Sequence, residues 1–243
     1  MTLVYGSAQM TCRKTTIEYL FDTQAKEDKK AIADGHEPKK MWNFESVTEA
    51  ASFASPLIWD AVGHVQRAAK HGMKTIKQVA SFCVKNNQPM QWTTPTGFIV
   101  TQDIKQTKQN RVNTMMFGGT KVTLRTETDV LDGNKMRSSS APNFIHSMDA
   151  SHLILTSYNV LVKAGLKSMA VIHDSFGVHA CDTNKLRRIL LRTLVKMYSE
   201  NDVLGDLVSH NEYIAGDTAD NVEMPVLGNL DFNQVLKAKY AFF

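Results

Sequence analysis

The stretch Met169 to Ala180, Met-Ala-Val-Ile-His-Asp-Ser-Phe-Gly-Val-His-Ala, places the tightest limits on the fold. Met169, Val171 and His173 fall on one side of an extended backbone and Ala170, Ile172 and Asp174 on the other, with β-branched residues at the centre, as in a strand. A second apolar run, Phe176 to Ala180, follows Ser175 with Gly177 close behind the bend. The segment therefore predicts a tight β-hairpin with His173 and Asp174 near its tip. An aspartate is unusual there, because Asp is depleted in strands and a carboxylate beside a buried sheet costs free energy unless water, a partner or a metal ion offsets it. Read alone, Asp174 is equally a turn residue bonding its own backbone, and His173 a satisfied polar group at an edge.

The rest of the chain reads as mainly helical. Ile17, Leu20, Phe21 and Ala25 recur at helical spacing between Ala8 and Asp34, and Gly35 and Pro38 close that element. Ser46 and Glu49 form a capping box, and Val47, Ala51, Ala54, Ile58, Ala61, Val65 and Ala68 share a face expected to pack into a core, with Pro56 predicted to kink or split the helix. Met73, Ile76, Val79, Ala80 and Cys83 mark a further amphipathic helix ending near Asn86. Asp129 to Ser140 reads as a polar loop. A helix is expected from Pro142 to Gly165 with His146 in its first turn, and another after Asp182 or Thr183, with Leu186, Ile189, Leu190, Leu194 and Met197 inward and Lys185, Arg188, Arg192 and Lys196 outward. The last part is read as a short helical piece, a loop, a helix from about Asp231, and an apolar tail, Tyr240 to Phe243, docked on the protein.

Between Ile104 and Thr126 no acidic residue occurs, while Lys105, Lys108, Arg111, Lys121 and Arg125 do. Gly118-Gly119 separates Thr114 to Phe117 from Thr120 to Arg125, where Lys121, Thr123 and Arg125 alternate with Val122 and Leu124. This predicts a hairpin with one basic, hydroxyl-bearing face. A two-stranded ribbon fits the major groove of DNA, where Arg111 and Asn113 could read base edges. A solvated basic edge that discourages aggregation is the other reading.

The chain of 243 residues carries 28 Lys and Arg against 24 Asp and Glu, a formal charge of +4 that permits a polyanionic partner without requiring one. No apolar run is long enough to span a membrane and no secretory pattern opens the chain, so an intracellular protein is expected. Cys12, Cys83 and Cys181 stand far apart, without zinc-like spacing, and are expected to be reduced packing residues.

Four segments together, MTLVYGS (Met1 to Ser7), WTTPTGF (Trp92 to Phe98), APNFIHSMDASH (Ala141 to His152) and VIHDSFG (Val171 to Gly177), resemble the C-terminal part of the single-subunit, phage-type DNA-directed RNA polymerases, a group with mitochondrial-like members. The resemblance implies an α+β, mainly helical piece of a right-hand polymerase. Residues 1–146 would be fingers, including a specificity hairpin at about 98–126. Residues 147–243 would be palm, with a small antiparallel catalytic hairpin at about 168–180 bearing the His-Asp pair, and the C-terminal tail. Asp174 then resembles a metal-binding carboxylate, with His173 beside it, in a site where two Mg2+ ions about 3.5 to 4 Å apart serve nucleotide addition to an RNA 3′ end. Tyr5 resembles the residue beside the incoming ribose, Gly6 lets the chain turn away, and His146 resembles a residue at the minor groove of the new base pair. Arg111, Asn113, Lys121, Thr123 and Arg125 become candidate DNA contacts.

The implied partners are template and promoter DNA, nascent RNA and ribonucleoside triphosphates, with no membrane, in the cytoplasm of an infected host if the gene is a phage's. The family's other metal-binding Asp and its triphosphate-gripping Lys and Arg would precede Met1. The chain is accordingly expected to be the C-terminal portion of a split, interrupted or late-started polymerase gene, inactive alone and paired with an N-terminal portion on another chain or reading frame. Two other classes stay open. One is a His-Asp metal phosphohydrolase drawing on His146, His173, Asp174, His179 and Asp182, which calls for the pair on a helix. The other is a nucleic-acid-binding module without catalysis.

Overall fold

The computed structural model describes residues 9–115, 118–172, 174–215 and 222–239, and among them the chain is mainly helical with small antiparallel hairpins. Residues up to His71 form one compact unit and residues from Gly72 onward a second.

In the first unit, α1 (Gln9–Ala33) and α2 (Val47–Val65) pack together. Ser46 caps α2 by accepting the Glu49 N–H at 3.2 Å, while the Glu49 carboxylate reaches back to the Glu45 N–H at 3.1 Å, one residue before the cap. Pro56 does not split the helix, one of the two outcomes expected of it, since α2 runs on through it. It has no N–H to bond the Ser52 carbonyl, but Ser52 and Pro56 both lie on the exposed side, where water can serve that carbonyl. The break comes instead at Gln66, before α3 (Arg67–Lys85). The apolar face of α2 is also less buried than its periodicity predicts: Ala50, Ala51 and Ser55 are covered, whereas Val65 is 84% exposed.

The second unit holds the larger core. Met73, Ile76, Val79, Ala80 and Cys83 line the buried side of α3, as their spacing predicts. The hairpin β1 (Met90–Thr93) and β2 (Ile99–Gln102) follows, its turn closed by the Thr94 N–H to Phe98 carbonyl bond at 2.8 Å. Trp92 is 1% exposed, meets Phe144 edge-on at 5.8 Å and donates its indole N–H to Ser147 Oγ at 2.8 Å. Trp92, at the head of WTTPTGF, is thus built into the scaffold, whereas Phe98 at its end is exposed.

A long hairpin, β3 (Lys105–Asn113) and β4 (Lys121–Leu131), comes next. The basic segment is therefore a hairpin, but its strands begin after residue 102 and run on past 126, and Thr114 and Met115 lie beyond the ladder. The expected polar loop from Asp129 to Ser140 is not one. Strand β4 continues to Leu131, and α4 (Gly133–Tyr158) starts at once, with Asp132 accepting the Lys135 N–H at 3.1 Å. Ser138 and Ser139 bond back to the Lys135 carbonyl and Ser140 to that of Arg137, which keeps their hydroxyls inside the helix rather than competing with it. Pro142 accordingly lies in the interior of α4 instead of opening it, and His146 is well past the first turn.

A wider π-turn, Asn159–Lys163, ends α4, and Gly165 at φ +67° lets the chain reverse. The short hairpin β5 (Ala170–Ile172) and β6 (Ser175–Gly177) is followed by α5 (Thr183–Glu200), α6 (Val203–Ala215) and α7 (Phe232–Lys237). Of the cysteines, Cys83 is buried, and burial pushes its thiol pKa up to about 11; Cys181 is exposed, so only part of the packing expectation holds. The docked tail, Tyr240 to Phe243, lies outside the described residues.

The β1–β2 hairpin is tied to α6 by Asn211, which is buried. Its amide donates to the Gln91 carbonyl at 2.6 Å and the Leu207 carbonyl at 2.7 Å, and its oxygen accepts the Gln91 N–H at 3.0 Å. Replacing Asn211→Ala strands both backbone groups of Gln91, each worth about 1–3 kcal/mol when left unpaired. The variant should lose about 2–4 kcal/mol in a urea unfolding curve, and a loss below about 0.5 kcal/mol would remove Asn211 from this role.

Candidate active site and nucleic-acid interface

The β5–β6 hairpin has three cross-strand pairs, Ala170 with Gly177, Val171 with Phe176 and Ile172 with Ser175. Asp174 stands in its turn and is exposed. His173 lies outside the described residues, as do Tyr5 and Gly6. Ladders this short do not hold themselves in water. The hairpin is fixed through Phe176, Met169 and Val178, which pack against a buried cluster of Val160, Leu166, Leu186 and Leu190. A cleft of about 470 Å³ runs along its base, lined by Ser168, Met169, Ala170, Gly177, Val178 and His179.

A second group, given no role of its own in the sequence analysis, holds the hairpin. His152 of α4 is buried; its ring meets Phe176 edge-on at 5.9 Å, and its Nε2 lies 3.2 Å from the Leu190 carbonyl of α5. One side chain thereby joins α4, α5 and the strand that follows Asp174. Burial lowers the pKa of the imidazole, against the Leu190 carbonyl and the charge of Asp149, which favour the protonated ring. His146, six residues earlier on the same helix, is exposed. His179 and Asp182 follow the hairpin and are exposed and half-buried respectively. No group of three or more His, Cys, Asp or Glu side chains able to hold a metal ion occurs among the described residues.

The long hairpin brings the other candidates together. Asn113 pairs with Lys121, Arg111 with Thr123 and Gln109 with Arg125. Cross-strand partners share a face and alternate residues return to it, so Arg111, Asn113, Lys121, Thr123 and Arg125 form one surface. The opposite face carries Lys108, Asn110, Val112, Val122 and Leu124. Every residue of β3 beyond Lys105 is exposed, as is β4 up to Glu127, so the ribbon is an arm with both faces open to solvent. Its root is fastened by Asn87, whose amide donates to the Asp129 carbonyl at 2.9 Å and whose oxygen accepts the Leu131 N–H at 3.0 Å. No described helix is long and apolar enough to cross a membrane.

Comparison with known proteins gives a consistent result. Residues 1–220 match the family model described as DNA-dependent RNA polymerase. The chain is 33% identical to the DNA-directed RNA polymerase of Enterobacteria phage T3 and 33% identical to the T7 RNA polymerase of Escherichia phage T7, each along its whole length. It is also 33% identical over 79% of its length to DNA-directed RNA polymerase 3, chloroplastic, of Nicotiana sylvestris. The chain spans 28% of the length of the two phage proteins and 19% of the plant protein.

The lowered His152 pKa fixes a pH dependence. A histidine kept neutral in the fold binds a proton more readily once unfolded, so stability is full above the unfolded value of about 6.5 and falls as pH drops through it toward the lower folded value. The melting temperature should therefore decline on acidification from pH 7, and His152→Gln, which keeps a donor for Leu190, should flatten that decline. An unchanged slope in the variant would show that another group governs it.

Proposed function

The chain belongs to the DNA-dependent RNA polymerase family, and from that premise we propose that it is the fingers and palm portion of a phage-type polymerase that adds ribonucleotides to an RNA 3′ end on a DNA template. In this reading residues 1–146 are fingers and 147–243 palm, and the working enzyme includes further polymerase segments, on this polypeptide or another. The observation that carries it is Asp174 in the exposed turn of a short hairpin anchored on a buried core. A carboxylate held there is a hard anionic ligand of the kind Mg2+ prefers. Asp174 would hold the ion, with His173 beside it, and the remaining anionic oxygens would come from another segment. Bound magnesium would supply Lewis-acid stabilisation of the charge that develops during phosphoryl transfer.

Tyr5, Gly6 and His146 are assigned to the incoming nucleotide and the new base pair, and Arg111, Asn113, Lys121, Thr123 and Arg125 to DNA. The last assignment is supported by their common face on a ribbon of groove-fitting width. Template and promoter DNA, nascent RNA and ribonucleoside triphosphates follow as partners, in the cytoplasm of an infected host if the gene is a phage's. A strand–turn–strand setting for Asp174 weighs against the phosphohydrolase alternative, which calls for a helix-borne pair. Nucleic-acid binding without turnover is the activity proposed for the chain on its own, because it spans 28% of its phage relatives and one hairpin carboxylate cannot hold a two-metal site.

The test is a chimera in which this chain replaces the matching part of the T7 relative. Asp174→Asn should lower nucleotide addition at least about 100-fold, since a catalytic metal contributes several kcal/mol, while promoter binding persists. Incorporation at the unsubstituted rate would remove Asp174 from the chemistry.

For the ribbon, Lys121→Ala should reduce the slope of log affinity against log salt by about 0.9, and Arg111→Ala should cost about 1–3 kcal/mol and relax base preference. Promoter affinity and salt slope that stay as they were would make the ribbon a solvated edge.

A further inference from the structure

Helix α5 carries Lys185, Arg187, Arg188, Arg192 and Lys196 against one carboxylate, Glu200. Lys185, Arg188, Arg192 and Lys196 are all exposed and follow one another at three- or four-residue steps. With 3.6 residues per turn they fall within an arc of about 80° and extend along about 16 Å of the helix. Neighbours in such a row stand about 5–6 Å apart, so adjacent cations can each meet a different phosphate of one strand. The other side of α5, with Leu186, Leu190 and Met197, is buried.

A row of cations on a lone helix is ordinarily only solvated. Here a second element turns it into a groove. The π-turn at the end of α4 lies beside α5 and closes a groove of about 290 Å³ lined by Asn159, Lys163, Ile189, Arg192, Thr193 and Lys196, with no acidic residue among the described lining. Its floor is fixed, because Asn159 Nδ2 donates to Thr193 Oγ1 at 3.0 Å and Ile189 packs on the buried cluster. Lys163 enters from the π-turn, above the Tyr158 ring at 5.5 Å, and so adds a cation from the opposite wall. The one carboxylate of α5, Glu200, meets Lys196 at 3.7 Å in an exposed pair, a weak bond that phosphate can displace. Lys185 is fastened by its bond to the Ala164 carbonyl at 2.8 Å and extends the positive row beyond the groove.

We propose that this groove between the π-turn and α5 binds the phosphodiester backbone of single-stranded nucleic acid, at a site separate from both the Asp174 hairpin and the basic ribbon. The inference rests on the polymerase reading only for the identity of the polyanion. Ile189 both lines the groove and packs on the core that seats Phe176, so an occupied groove and the Asp174 hairpin share one buried support.

The test measures binding of short labelled single-stranded RNA, single-stranded DNA and duplex DNA to the full chain across a salt series. The double substitution Arg188→Gln with Arg192→Gln should weaken both single strands several-fold and lower their salt slope by about 1.4, at about 0.7 for each phosphate no longer neutralised. Arg188→Lys with Arg192→Lys should largely restore both. Lys29→Gln with Lys30→Gln, which removes the same charge from an exposed part of α1, should change little. An α5 variant that binds like the parent, a loss equal to that of the α1 control, or equal binding of a polyglutamate peptide overturns the proposal. Loss of duplex binding in Arg111→Ala with an unaffected α5 variant would overturn it while leaving the ribbon assignment standing. Preference between the RNA and DNA strands tells which of them occupies the groove.

Discussion

The arrangement depends on how a six-residue strand pair is kept in place. Three cross-strand pairs give too little cohesion for a hairpin to persist in water, so the position of Asp174 is set by what lies beneath its strands. Phe176 is the link: its ring rests on the cluster of Val160, Leu166, Leu186 and Leu190 and receives the edge of His152. The imidazole in turn reaches the Leu190 carbonyl, in the middle of a helix. An apolar contact and a polar one converge on the same few residues, and the carboxylate is carried above them without itself being buried.

A second set of long-range polar contacts supports the other end of α4. Gln102 is buried, donates to the Met136 carbonyl at 3.0 Å and to Ser139 Oγ at 3.1 Å, and accepts from Asn143 at 3.1 Å. Trp92 and Asn211 do the same for the neighbouring strand on α4 and α6. Buried amides whose groups are satisfied fix one geometry, because any shift leaves an unpaired donor or acceptor in a low-dielectric interior. These contacts give Trp92, the first residue of WTTPTGF, its place in the scaffold.

Much of the local structure of the candidate site could be read from local pattern. Two-residue alternation located the Asp174 hairpin, and the basic alternation after Gly119 located the ribbon and its five-residue face, because strand period is a property of neighbours. What escaped that reading has identifiable causes. The start of α4 was concealed by Ser138, Ser139 and Ser140, residues that favour loops unless their hydroxyls bond back to the preceding turn, as they do here. Pro142 and Pro56 mislead as punctuation because the carbonyls they leave unbonded belong to Ser138 and Ser52, both exposed. His152 and Asn211 act across 38 and 120 residues of chain, distances at which no periodicity carries information.

Among the described residues the ribbon is fastened at its root, by Asn87 and by the Asp132 N–H to Ile104 carbonyl bond at 2.8 Å, while its outer length is exposed on both faces. Substitutions there leave the folding free energy almost untouched. Selection on what the arm touches is thereby uncoupled from selection on whether the protein folds, so its tip is free to diverge between lineages while the hydrophobic interior stays constrained.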